Sequence, residues 1–314
     1  VSATLGNLDV SATRESRGPG IGTKRHTSAS NAAIIGYPTR QLAITFRRMS
    51  MPADYHMHTP LCQHATGEPV EYAARAAKLG LPEIGFSDHS PMRKDNFDTW
   101  RMNFDKLGQY VESVRKAQKD YPQLNIKLAM EVDYLPGQEE WIREMAGMYS
   151  WDYFIGSVHY VSESWAIDDP SKLSEWKTRD PFEVWSRYFD WLTRAAGSGL
   201  FEIIGHADLP KKFGIVPKED CSELFEKFLK EAVRANTAIE LNTAGLRKAC
   251  KEIYPSQKLL QKAKEIGAAI TFGSDAHAPE EVGMNFGDAV TLAKEVGYRE
   301  CCRFTQRKRT MVEI

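Results

Sequence analysis

The stretch AAITFGSDAH, residues 268–277, starts as an apolar run and finishes on Ser-Asp-Ala-His. Six further stretches have the same composition: DYHMHT (54–59), EIGFSDH (83–89), IKLAMEVDY (126–134), YFIGSVHYV (153–161), FEIIGHADL (201–209) and AIELNTAG (238–245). Each is short enough for a strand, and patterns of helical spacing separate them, among them residues 69–80, 221–236 and 256–267. Alternation of this kind predicts β/α units around a parallel sheet. In a closed parallel barrel the C-terminal strand ends share one mouth, where side chains from distant parts of the chain meet. An apolar start and a polar finish on every run therefore gather the polar residues at that mouth.

The histidines follow this pattern. Seven of the eight, His56, His58, His64, His89, His159, His206 and His277, fall at predicted strand ends or just beyond them; His26 does not. Residues i and i+2 of a strand point to the same side, so HMH aims His56 and His58 together. The same step recurs in EVD (Glu131, Asp133), HAD (His206, Asp208) and DAH (Asp275, His277). Neutral imidazole and carboxylate are ligands of zinc, manganese and iron. Seven imidazoles exceed what one tetrahedral ion uses, which predicts a multinuclear site. A histidine at one strand end is commonly a hydrogen-bonded structural residue; seven in this arrangement ask for a shared chemical reason. In the doublet Asp88–His89 the neighbours face opposite sides, so one is expected to coordinate and the other to support it. Asp133 is read equally as a loop anchor. Cys62, inside the opening cluster, is read as a small buried thiol.

Composition narrows the class. The chain has 314 residues, 42% hydrophobic and 26% charged, with a formal net charge of −1, enough for one barrel-sized domain. Residues 1–50 hold seven Lys/Arg against two acids and are rich in Ser, Thr, Ala and Gly; they read as a disordered leader or upstream extension, with a single domain over 51–314. The remainder is net acidic, which argues against nucleic acid as a partner. No apolar run approaches the roughly 18–20 residues of a membrane span, so no membrane partner is expected. Five scattered cysteines (Cys62, Cys221, Cys250, Cys301 and Cys302) show neither a disulfide framework nor zinc-finger spacing, which predicts a reducing, cytoplasmic setting. Oligomeric state is open. There is no G-x-S-x-G elbow and no phosphate-binding P-loop.

The motifs HMH…H, SDH, a Glu on the third run, SVH, GHAD and SDAH, in that order, resemble the PHP (polymerase and histidinol phosphatase) superfamily, from about residue 54 to residue 280. YHMHTPLCQHA, FSDHSPM, IGSVHYV and ELNTAGLRK resemble its histidinol-phosphate phosphatases in particular. The resemblance implies a distorted (β/α)7 barrel, in agreement with the seven runs counted independently. It also implies a site for three divalent ions, zinc, manganese or iron, with a residue of this chain at every ligand position. One ion takes His56, His58, Glu131 and Asp275. A second shares Glu131 and adds His159 and His206. The third takes His64, His89 and His277.

Three divalent ions facing two carboxylates favour a phosphate dianion. The activity implied is hydrolysis of L-histidinol phosphate, a small phosphomonoester, to L-histidinol and phosphate, with a metal-bridging hydroxide attacking phosphorus. Asp208 is the expected general acid or, equally, an orienting carboxylate behind His206. Arg247 is the expected phosphate clamp, with Lys211 and Lys212 as weaker candidates. Within the insertion at 162–200, Trp165, Trp176, Trp185 and Trp191 are candidates to enclose an imidazole, and Asp168 or Asp169 to meet an amine. Most of PFEVWSRYFDWL reads more simply as an amphipathic helix. Competing readings are a phosphoesterase acting on nucleotides or nucleic-acid ends, an amidohydrolase, and a non-catalytic metal-binding module.

Overall fold

Six short strands form one sheet whose spatial order follows the chain. They are found in a computed structural model that describes residues 51–162 and 164–314; the leader expected at 1–50 lies outside the described residues. Strands β1 (Glu83–Phe86), β2 (Asn125–Asp133) and β3 (Tyr153–Ser157) come first. A small antiparallel pair, β4 (Tyr160–Ser162) and β5 (Trp165–Ala166), follows β3. The sheet resumes with β6 (Ile203–Ile204), β7 (Ala238–Asn242) and β8 (Ile270–Gly273), and all its pairings are parallel.

The first predicted run closes the sheet. Asp54 bridges Ile84 of β1, and Met57 bridges Ala276 just after β8, both in parallel sense. Gly85 and Ser87 donate backbone N–H groups to the carbonyls of Asp54 and Met57 at 2.8 and 2.9 Å, while Tyr55 and His58 donate to Phe272 and Ala276 at 3.1 and 2.9 Å. The segment is a seventh stave held by isolated bridges, which gives the predicted barrel its distorted seam.

Period two along the strands divides the core. The outward residues Leu128, Met130, Val132, Phe154, Ile204 and Ile239 join the large apolar cluster under the helices. The inward series begins with Ala129, Tyr153, Ile155, Ile203 and Ala238, which pack with Tyr55, Cys302 and Phe304 in a separate cluster. Further along the same face come Glu131, Asp133, Ser157, Glu240 and Asn242, all buried. One face thus changes from apolar floor to polar mouth. The C-terminal hairpin β9 (Glu300–Thr305) and β10 (Lys308–Glu313) supplies the floor residues Cys302 and Phe304.

The helices are α1 (Pro69–Leu79), α2 (Leu107–Asp120), α3 (Glu139–Ala146), α4 (Leu173–Trp176), α5 (Pro181–Gly197), α6 (Ser222–Ala235), α7 (Gln257–Ile266) and α8 (Phe286–Val296). Predicted termini differ from these by one residue. Helix α1 opens on a capping box between Glu68 and Glu71 and stops at Gly80, whose φ of 72° is the left-handed cap expected there. Helix α5 is the amphipathic helix read from PFEVWSRYFDWL, and Asp180 caps it. The tryptophan expectation is corrected. Trp165, Trp176 and Trp185 are buried core residues and half-buried Trp191 packs beside them, and none of the four lines the cavity at the strand ends. No helix among the described residues is long and apolar enough to cross a membrane.

Close packing around the strands sets one test. A Cβ at Gly156 of β3 would lie 2.5 Å from atoms of the Phe201 ring. Gly156→Ala is expected to destabilise the protein by about 1–3 kcal/mol, because the ring must leave its packed position. Urea denaturation followed by circular dichroism measures this, and an unchanged midpoint would contradict it.

Candidate metal centre

Glu131, near the end of β2, is 1% exposed and stands at the centre of an imidazole cluster. Its Oε2 lies 3.4 Å from His56 Nε2 and 3.7 Å from His58 Nε2. Asp275 Oδ1 lies 3.8 and 3.2 Å from the same two nitrogens. Bonds of about 2.0–2.2 Å to one tetrahedral ion would place donors roughly 3.3–3.6 Å apart, and these four separations lie within about 0.2 Å of that range. On the other side, Glu131 Oε1 lies 2.9 Å from His206 Nε2 and 3.7 Å from His159 Nε2, and it accepts a 2.6 Å hydrogen bond from Ser157 Oγ. His89 Nδ1 is 2.8 Å from Oε2.

The remaining histidines meet at the outer rim. His64 Nε2 and His277 Nε2 are 2.9 Å apart, and the rings of His64 and His89 are 5.5 Å apart, centroid to centroid. His58 stacks on His277 at 4.1 Å, and Cys62 lies close enough to share an ion position with His64 and His277. All nine predicted ligands therefore lie in one connected cluster, although the His89 ring also faces Glu131 and His159.

Five of the seven imidazoles are held from behind. Carboxylates only accept, so Nδ1 of His56 donates to Glu240 at 2.7 Å, Nδ1 of His159 to Asp133 at 2.8 Å and Nδ1 of His58 to Asp88 at 3.3 Å. Asp88 is anchored in turn by the Thr59 hydroxyl. At the rim, His64 and His277 use the backbone carbonyls of Cys62 and Asp275, at 2.9 and 3.0 Å. Every one of these bonds leaves Nε2 facing the cluster. Asp133 serves both roles foreseen for it, since its Oδ2 also pairs with buried Arg101 at 2.7 Å.

Electrostatics divide the site. Burial disfavours a charged His56, but Glu240, Glu131 and Asp275 outweigh it and raise its pKa well above the usual range. Burial likewise opposes a charged His159, which Asp133 and Glu131 nonetheless raise to about 9. Glu131 and Asp275 stay ionised despite burial, held low chiefly by the neighbouring imidazoles. The inner site thus attracts positive charge, whether proton or cation. Burial drives His89 down to about 3 and lowers His64 and His277, so these stay neutral bases. The fit to a cation is also visible in the unpaired atoms: His56 Nε2, His58 Nε2, His89 Nδ1, His206 Nδ1 and Glu131 Oε2 are buried without a hydrogen-bond partner. Orphaned buried groups are costly, and divalent ions would satisfy this set.

A cavity of about 420 Å³ opens over the cluster, lined by His64, His89, Glu131, His159, His206, Asp275 and His277, together with Trp100, Asp168, Asp169, Lys212, Lys248, Tyr254 and Glu281. Five predicted site residues do not line it: His56 and His58, fully buried within the cluster, and Asp208, Lys211 and Arg247. Strand β6 ends at Ile204, and positive φ at His206 (21°) and Asp208 (77°) breaks the two-residue step that was expected to align them. Asp208 turns away and accepts from the Ser256 N–H at 2.8 Å, with Lys211 at 3.2 Å. Burial raises its pKa to about 6, but it has no path to a leaving group in the cavity. Lys211 is buried among Asp208, Glu252 and the Ile253 carbonyl, so the substrate-binding role expected of it is corrected too. Arg247 sits at the rim, clasped by Glu281 at 3.1 Å and by the carbonyls of Ser274 and Asp275, with Nη1 buried and unpaired. Lys212, which does line the cavity, is paired with Asp168 at 2.9 Å.

Sequence reasoning missed Glu240, Trp100 and Lys248. A charged residue amid the buried strand AIELN was a usable sign for Glu240. Trp100 and Lys248 lie in irregular stretches without periodicity, where no sequence sign distinguished them.

Comparison with known proteins agrees with this geometry. A family model described as PHP domain matches residues 54–244. A Deinococcus radiodurans protein named "Probable histidinol-phosphatase" is 41% identical over 78% of this chain and 94% of its own length. A Schizosaccharomyces pombe protein of the same name is 30% identical over 80% of this chain and 89% of its own. In fold, the chain is similar to the histidinol phosphate phosphatase of Lactococcus lactis, solved with zinc, L-histidinol and phosphate. The TM-score is 0.71 at 21% identity, covering 83% of this chain and 99% of that one.

The backing of His159 is testable. Asp133→Asn weakens the support of both His159 and Arg101, a guanidinium 2% exposed, and is expected to cost about 2–3 kcal/mol of stability. Equilibrium urea unfolding would read the loss; an effect below about 0.5 kcal/mol, the scale of ordinary surface changes, would show that Asp133 supports neither.

Proposed function

This chain belongs to the PHP domain family, and from that premise we propose that it is a phosphoric monoester hydrolase that converts L-histidinol phosphate to L-histidinol and phosphate. The observation that carries the reading is the cluster of imidazoles and carboxylates around Glu131, with buried donor atoms that lack protein partners. The names of its relatives support the substrate. We assign the donors as three sets: His56, His58, Glu131 and Asp275; Glu131, His159 and His206; and His64, His89 and His277. Zinc, the ion held by the Lactococcus lactis protein of the same fold, suits them. Bound there, such ions supply Lewis acidity and a water of lowered pKa.

The chain's own residues supply position and recognition. Asp88, Asp133 and Glu240 keep protons on Nδ1 of His58, His159 and His56, so these three imidazoles each present Nε2 to the site. Lys248, which lines the cavity, offers a cation for a phosphate dianion, and Arg247, paired with Glu281, braces the carbonyls of Ser274 and Asp275. Trp100 offers an aromatic face to an imidazole, backed by the Arg101 guanidinium 4.2 Å from its ring. Asp168 and Asp169 offer carboxylates to the substrate ammonium. Asp208 and Lys211 hold the loop beneath. A cavity of about 420 Å³ suits a small phosphomonoester. All five cysteines are free thiols, in keeping with a cytoplasmic enzyme of amino-acid biosynthesis.

The deciding experiment is phosphate release by protein of measured metal content. L-Histidinol phosphate would be set beside a nucleoside monophosphate, glycerol phosphate and an aryl phosphate. Strong preference for L-histidinol phosphate is expected, with about three zinc ions per chain. Preference for the nucleotide would overturn the substrate, and no turnover by fully loaded protein would overturn the enzyme reading. Trp100 also packs on the ligands His89 and His159, with ring centroids 4.9 and 5.2 Å away. Trp100→Ala is therefore expected to lower kcat/KM for both substrates, but about tenfold more for L-histidinol phosphate than for glycerol phosphate, the scale of a lost aromatic contact. Equal losses on both substrates would refute the role given to the ring.

A further inference from the structure

Strand β7 contributes none of the nine donors assigned above, yet its two inward polar residues reach ligands on three other segments. Glu240 is fully buried. Its Oε1 accepts from His56 Nδ1 at 2.7 Å, and its Oε2 accepts from the backbone N–H of His206 at 2.8 Å and from Asn242 Nδ2 at 3.1 Å. Asn242, two residues on and also fully buried, directs the same Nδ2 toward Asp275 Oδ2 at 3.3 Å. Its Oδ1 accepts from the Ala244 N–H at 2.9 Å, which settles which end of the amide faces the site. Space for the carboxylate comes from Gly273. A Cβ there would collide with Glu240 Oε1 and lie 2.7 Å from His56 Cβ.

We propose that Glu240 and Asn242 are positioning residues that tie the first two donor sets together; the inference rests on the ligand assignment made above. Glu240 sets the tautomer and ring angle of His56 with one oxygen. With the other it pins the strained turn that carries His206, where φ is 21°. Asn242 orients the Asp275 carboxylate. A single side chain therefore fixes a ligand of the first set and the backbone of a ligand of the second, so that their spacing across Glu131 is built into β7. An amide at position 240 cannot reproduce this. It has one acceptor oxygen where three N–H donors converge, and its NH2 group would face other donors.

Zinc retention tests the pair. The full-length chain, its Glu240→Gln and Asn242→Ala variants, and a surface control, Glu265→Gln, would be loaded with zinc chloride and challenged with excess EDTA. Residual zinc would be followed by inductively coupled plasma mass spectrometry. Loss of an orienting partner typically costs 10–100-fold in metal affinity, so zinc release some 10–100-fold faster is expected for Glu240→Gln. About tenfold is expected for Asn242→Ala, whose backbone pairing with Tyr254 is untouched, which keeps the inference testable if the Gln variant folds poorly. The melting temperature separates the roles: positioning shrinks the gain that zinc confers, whereas a purely structural role lowers metal-free and loaded protein equally. Wild-type release rates and an unchanged zinc-dependent gain in both variants would overturn the inference while leaving the ligand assignment standing. A wild-type chain that takes up no zinc would overturn the ligand assignment and, with it, the pair.

Discussion

A buried carboxylate surrounded by imidazoles is the constraint on which the rest of this structure depends. Glu131 has almost no solvent to ionise into, so its charge is tolerable only because His56, His89, His159 and His206 bring compensating charge or donors to it. Those residues come from the closing segment, the end of β1, the turn after β3 and the turn after β6. Bringing them together requires a sheet that curls until its first and last parts meet. The bridges from Asp54 to Ile84 and from Met57 to Ala276 achieve this without a full ladder. The irregular seam is also where His56 and His58 stand, and the two features belong together: residues engaged in regular pairing on both sides would have less freedom to aim two rings at one carboxylate.

The inward face of the strands reconciles stability with chemistry. Its lower half is packed with Tyr55, Ala129, Tyr153, Ile155 and Phe304, which exclude water and rigidify the floor. Its upper half is polar and, apart from the atoms facing the ion positions, largely hydrogen-bonded within the protein. Most groups that touch a ligand imidazole have a second partner: Asp133 has Arg101, Asp88 has Thr59, and Glu240 has Asn242. Such doubly anchored carboxylates leave their histidines little rotational freedom, which is what preorganised ion binding asks of a protein.

The rim is built differently. His64 and His277 lean on backbone carbonyls rather than carboxylates, and Lys248 lines the same cavity. Charge there changes from net negative at the floor of the cavity to mixed at its opening. That change follows from which residues end the strands and which begin the loops.

What the sequence determined by itself is the chemistry of the strand ends. Local periodicity and the two-residue step were enough to read seven staves, the helices between them and seven histidines at strand ends, because strand polarity is a short-range property encoded within each run; the set of nine donors came from the family resemblance. Only the tertiary structure decided where side chains point once a strand has ended. The step from His206 to Asp208 failed because the chain leaves β geometry at Gly205 and turns through positive φ, which no alternation pattern records. Trp100 reached the cavity, and four tryptophans of the insertion did not, through packing between segments far apart in the chain. Glu240 was visible as a charge within an apolar strand, but its partners, His56 and the backbone of His206, exist only after the barrel closes. Periodicity is local and contact is not, and that difference separates the residues legible in this sequence from those the fold alone revealed.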